Sequence, residues 1–273
     1  MVRAALAVVL AVVSFRAHAG QACTEKPLQP ADVRAALSLA LDVAQTLDEA
    51  HARVAIVARV GRDLSRYGLR YSHVAFAWRD HPRGAWTMVE ELNQCGTSTS
   101  ALFDDGPGDF FLDGMFAYEA KIVIPSSDAQ RRIGALLGAR AGGRLHEARY
   151  NLVAYPWGTR YQNSNQWVLE TMAAALADRP ITGRADAQAW LKSAGFRPTT
   201  IHLSATERLG GELTRANIAF DDHPFDRRMA GQIDIVSAES VLDFLQRIDT
   251  RATAVVLAAQ GAARHAVPDA ANR

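Results

Sequence analysis

The chain has 273 residues, with 30 basic and 29 acidic side chains and a formal net charge of +1. That balance lacks the field that nucleic acid or an anionic membrane surface would require of a partner. Apolar residues make up 49% and charged residues 22%, enough for a sizeable core in one large domain or two small ones.

The first twenty residues, "MVRAALAVVLAVVSFRAHAG", place Arg3 before an apolar run from Ala4 to Phe15 and end in the small-x-small pattern Ala17-His18-Ala19. That order is expected of a secretory signal peptide over residues 1–19, with export to the periplasm. The run is too short to span a bilayer, and no other stretch is long and apolar enough, so no transmembrane segment is expected after processing. Two cysteines remain, Cys23 and Cys95, and in an oxidising compartment an even pair predicts one disulfide. A lipid anchor on Cys23 ranks second, because the preceding "GQA" lacks the leucine usual there. A catalytic thiol at Cys95 ranks third, because "NQCGTSTS" has no helix start.

Residues 31–51 read as a helix with Asp32 near its start and Val33, Leu37, Leu41 and Leu47 at helical spacing. "RVAIVARVG" (53–61) is a strand, residues 71–78 a second, and "AWTMVEEL" (85–92) a third, antiparallel to the second across the turn "HPRG". "FDDGPGDFFLDG" reads as a loop, and residues 117–126 as a fourth strand. Helices follow at 126–139, 164–178 and 184–195. After them come a strand and a helix within 199–220, then a strand, an N-cap at Ser237 and a last helix. From about residue 250 the alanine-rich tail reads as irregular. The expectation is one α+β domain over residues 20–250, an antiparallel sheet packed on helices, with an additional lobe from about residue 180.

Three polar positions could carry chemistry. His73 lies inside an apolar strand, Glu90 and Glu91 near the end of the next, with Asn93 just beyond, and Ser164 opens a helix. Alternation puts Glu90 and Glu91 on opposite faces, but the sequence does not say which face holds His73. A helix start offers unpaired N–H groups and a dipole that favour developing negative charge, and a strand histidine could take a nucleophile's proton. The plain alternative is a serine cap and a packed histidine. Trp157, Tyr161, Asn163 and Asn165 surround Ser164 and are the candidates for lining a substrate groove, while Trp167 reads as core. "FDDHPFDRR" carries Asp221, Asp222, His223 and Asp226 without a zinc-like partner spacing. Asp109 and Asp113 lack the ligand order of a calcium loop. No metal and no cofactor is expected.

The order "SHVAF", "MVEEL", "YNLVAYPWGTRYQNSNQWVLE" resembles the circularly permuted papain-like hydrolases of the NlpC type, relatives of the lecithin:retinol acyltransferase-like proteins. The resemblance spans roughly residues 50–178. It implies a base histidine at His73, an orienting group at Glu90 or Glu91, and Ser164 in the place of the family's cysteine within "NSNQWV". The whole chain also resembles the bacterial exported family called domain of unknown function 2145, including the start "ACTEKP"; that resemblance implies no activity. Serine for cysteine is a departure, since serine ionises far less readily than a thiol. Two readings stay open: an amide or ester hydrolase or acyltransferase acting on a cell-envelope peptide or lipid, and an inactive papain-like module that binds an envelope peptide, glycan or protein.

Overall fold

A computed structural model describes residues 27–259. The expected signal peptide, Cys23 and the residues after 259 lie outside the described residues.

The molecule is built on a six-stranded, wholly antiparallel sheet in the order β4-β3-β2-β1-β5-β8. Its strands are β1 (Val54–Val60), β2 (His73–Trp78), β3 (Thr87–Asn93), β4 (Ser100–Asp105), β5 (Ala117–Ile124) and β8 (Thr253–Ala258). β1, "VAIVARV", is buried along its whole length because helices cover both faces of the sheet. Alternation is therefore between side-chain sets rather than between polar and apolar. Val54, Ile56, Val74, Phe76 and Val89 pack on one face against α4 (Ser164–Leu176), α3 (Ser127–Gly138) and α8 (Ala238–Ile248). Ala55, Val57, Ala75, Ala77 and Met88 pack on the other against α1 (Pro30–Glu49) and α2 (Pro107–Leu112). The smaller residues sit mainly on the α1 face, where Leu39, Val43 and Leu47 of that helix fill the space.

After α5 (Arg184–Ser193), a two-stranded sheet of β6 (Thr199–His202) and β7 (Gln232–Ile235), with α6 (Ala205–Thr214) and α7 (Phe225–Met229), closes on a small core of its own. Val153, Ile201, Leu203, Phe220 and Ile233 form that core.

Two parts of the sequence reading are corrected. "FDDGPGDFFLDG" is not a structureless loop: it holds the end of β4 and all of α2, whose Phe110 and Phe111 are fully buried. The tail does not lose regular structure at residue 250, because β8 pairs with β5 from Glu119↔Ala258 to Ile124↔Thr253. Both strands missed or cut short are sheet edges, where short length and polar or small residues blur the strand pattern.

Candidate active site

The register of β2 on β3 decides which acid meets His73. Phe76 faces Val89 and Ala77 faces Met88, so His73, Ala75, Met88 and Glu90 share the α1/α2 face, and Glu91 goes to the α4 face. His73 Nε2 is hydrogen-bonded to Glu90 Oε2. His73 Nδ1 lies 3.2 Å from Ser164 Oγ. A carboxylate can only accept, so Glu90 accepts a hydrogen bond from Nε2–H and leaves the Nδ1 lone pair facing the serine hydroxyl. Phe110 lies beside the imidazole, with ring centroids 5.9 Å apart. All three site residues are nearly enclosed, with 7%, 1% and 8% of their surface exposed for His73, Glu90 and Ser164.

Ser164 is free for this contact because it is not the helix cap. Asn163 is, its side-chain oxygen accepting the Gln166 N–H at 2.8 Å. Ser164 is the first residue of α4, at the positive end of the helix dipole. Asn165 holds that end in place: its Oδ1 accepts from Val74 N–H at 3.1 Å, and its amide nitrogen donates to the carbonyls of Ser72 and Val236 at 3.4 Å. The two asparagines therefore brace the helix start, although both also line the cleft described below. Gln166 N–H is engaged by the cap and Ser164 N–H lies against the Tyr150 phenol, which leaves Asn165 N–H as the backbone donor for an oxyanion in the first turn.

Tyr150 supplies a further group that sequence reading missed. Its phenol abuts both the hydroxyl and the backbone N–H of Ser164. Burial, followed by the nearby Glu91, pushes that phenol up to about 12, so it stays protonated and can donate. The signal was hidden in a stretch without regular pattern. Tyr150 reaches the site through a bridge to Gln162, one residue before the cap.

Glu91 lies on the opposite sheet face from His73, fully buried. Neither of its carboxyl oxygens has a hydrogen-bond partner among the described residues. Ser100 is alongside, but its hydroxyl is engaged with His146 Nε2 at 3.0 Å. Burial pushes the Glu91 carboxyl up to about 8, against the smaller opposing pull of Ser100 and Arg184. Asn93 is also off the histidine; its Oδ1 accepts from Asn217.

The serine and histidine open into a cleft of about 670 Å³ between the sheet and the lobe that carries β6 and β7. Trp157 and Tyr161 are not among its lining residues. Trp157 packs edge-on against Phe196 at 5.9 Å under the Lys192 ammonium, and Tyr161 lies beneath the Arg160 guanidinium at 4.9 Å. Both aromatics are used for packing outside the cleft. Trp167 is core. The "FDDHPFDRR" turn is tied into the fold: Asp222 accepts from Tyr155 N–H at 2.9 Å, and His223 Nε2 meets the Val153 carbonyl at 2.8 Å. Asp113 is bound to Arg59 at 2.6 Å. No group of three or more potential metal ligands occurs among the described residues, and no described helix is long and apolar enough to cross a membrane.

A family model described as "Uncharacterized protein conserved in bacteria (DUF2145)" matches residues 46–245, a span that contains the whole site. The chain belongs to this family. No curated protein and no solved structure matches it.

Proposed function

We propose that this member of the DUF2145 family is an exported hydrolase or acyltransferase that acts on an amide or ester of a cell-envelope peptide or lipid. The observation that carries the reading is the single line of contacts Ser164–His73–Glu90 at the mouth of a helix dipole. In the first step Ser164 Oγ attacks the acyl carbon and its proton passes to His73 Nδ1. Glu90 steadies the imidazolium through Nε2–H. The carbonyl oxygen becomes an oxyanion held by the Asn165 N–H and by the Tyr150 phenol. The imidazolium then gives its proton to the departing amine or alkoxide as the acyl–heteroatom bond breaks. Water, or an acceptor hydroxyl or amine in an acyl transfer, releases the acyl group by the reverse sequence. No cofactor enters these steps.

The circularly permuted papain-like topology belongs to the same proposal. It is supported by the order of a histidine strand, an acid strand and a nucleophile helix, laid on an antiparallel sheet. Export rests on the pattern of residues 1–19, and intact mass of the secreted protein tests it: loss of about those 19 residues is expected.

One observation favours a second reading. A hydroxyl is a poorer nucleophile than the thiolate of papain-like sites, so the same cleft could serve a binding module. Treating the folded protein with a fluorophosphonate probe separates the two. An enzyme labels at Ser164, and a binding module does not label.

A further inference from the structure

Four arginines line the cleft: Arg59, Arg62, Arg66 and Arg215. Two are neutralised in place. Arg59 holds Asp113, its guanidinium Nη2 2.6 Å from Oδ2, and Arg66 is paired with Glu207. Arg62 and Arg215 form no ion pair and no hydrogen bond with a carboxylate among the described residues.

They stand on opposite walls. Arg62 follows β1 at Gly61, on the sheet side, and Arg215 is the residue after α6, in the lobe. Both guanidiniums line the one cleft, and partial desolvation, then the like charge of Arg215, hold the Arg62 guanidinium below its ordinary value. The carboxylate that compensates Arg62, Asp113, is already committed to Arg59. Arg59 and Tyr150 also act on Arg62, and Tyr150 abuts Ser164. The unpaired cations thus line the same cleft as the reactive hydroxyl. Two facing guanidiniums with no anion between them are a cost that a bound anion removes.

We propose that Arg62 and Arg215 form an anion subsite that takes a carboxylate of the substrate, close to the acyl group presented to Ser164. The second half of that statement rests on the hydrolase reading; the subsite itself does not. Charge favours a monoanion. The four guanidiniums face the carboxylates of Asp63, Asp113 and Glu207, while Glu91 keeps its proton to about 8, leaving about one positive charge in excess. A planar carboxylate also matches the guanidinium fork in two parallel hydrogen bonds. The substrate class is therefore an acyl compound with a nearby free carboxylate, such as a peptide cut close to its C-terminus.

The test uses the full-length mature chain carrying Ser164→Ala, which cannot turn the probe over. Acetyl-Gly-Gly with a free carboxylate is compared with its carboxamide by NMR titration. The carboxylate form is expected to bind about ten-fold tighter. Arg62→Gln and Arg215→Gln should each reduce that preference, and the double variant should abolish it. Neither residue belongs to the packed core, so folding is expected to survive, and unfolding midpoints check this. Arg53→Gln, which removes one positive charge away from the cleft, should leave the preference intact. Equal affinity for the two forms, no binding of either, or a preference that survives the double variant would each overturn the proposal. Because the readout is binding to a chain without the serine hydroxyl, absence of probe labelling in the wild type would count against the hydrolase reading and leave this result standing.

Discussion

His73 and Ser164, 91 positions apart in the chain, meet at 3.2 Å across the junction of β2 and α4. The contact exists because the capping duty at that junction falls to Asn163, one residue earlier. A serine that capped its own helix would have spent its oxygen on a backbone N–H.

Separating cap from hydroxyl gives the first prediction. Ser164→Ala should cost about 0.5 kcal/mol, the low end for a lost side-chain hydrogen bond, because its hydroxyl supports no backbone group. Asn163→Ala should cost about 1 kcal/mol or more, since it also loses the donor shared with the Leu152 and Val236 carbonyls. Urea unfolding of both variants measures this. A larger loss for Ser164→Ala than for Asn163→Ala would reverse the assignment.

Glu90 sets the imidazole tautomer, and that is testable apart from its charge. In Glu90→Gln the amide can turn its NH2 towards Nε2, which moves the ring proton to Nδ1 and away from its role as acceptor. Labelling of Ser164 by a fluorophosphonate should slow by roughly 10²–10⁴-fold while the fold persists. A rate within a factor of two of wild type would remove Glu90 from the site.

Much of this arrangement was legible in the sequence, and the gaps have physical causes. β1, β2, β3 and β5 announce themselves as apolar or β-branched runs, and α4 by its long buried face. Period-two alternation separates Glu90 from Glu91, but which of them shares a face with His73 depends on the register of β2 on β3, a tertiary fact. α2 escapes the pattern because six residues opening with Pro-Gly behind Gly106 carry no helical period, although the adjacent Phe110 and Phe111 are a hint of burial. Trp157 and Tyr161 are near Ser164 in sequence yet point elsewhere, whereas Tyr150, Arg62 and Arg215 come from distant segments. The sequence pattern singled out Ser164, His73 and Glu90, with Asn163 and Asn165 of the lining, but not Tyr150, Arg62 or Arg215.

Glu91 should make stability fall with pH in a defined window. Its carboxyl ionises near the ordinary 4.5 when exposed and at about 8 when folded. Between those values the native state binds one more proton than the unfolded chain. Stability contributed by this group is therefore full at low pH, declines as pH rises from 4.5 towards 8, and levels off above that. Glu91→Gln has no such linkage. Its stability relative to wild type should improve from pH 5 to pH 8 by an amount on the order of 3 kcal/mol. A difference that is flat across that range would mean Glu91 is ionised in the fold.

The buried pair beneath α4 should be asymmetric in its response. Glu170 is fully enclosed and holds Arg184 at 2.7 Å, with Gln162 and Gln188 donating at 2.7 and 2.8 Å. Arg184→Ala strands the carboxylate and should cost about 3–5 kcal/mol at neutral pH. Burial already raises the Glu170 carboxyl and Arg184 opposes it, so without the arginine the group takes up a proton more readily and part of the loss should be recovered in mild acid. Denaturant midpoints at pH 5 and pH 7.5 check the direction. Equal losses at both would contradict it.

The central claim is that Ser164 is a nucleophile activated by His73. The most direct measurement is labelling of the folded protein with a fluorophosphonate probe, followed by peptide mapping, in wild type, Ser164→Ala and His73→Ala. The account predicts a single adduct on the peptide containing Ser164, absent in both variants, with unfolding midpoints showing that the variants are folded. Labelling that persists in either variant, or a wild type that stays unmodified, would contradict it.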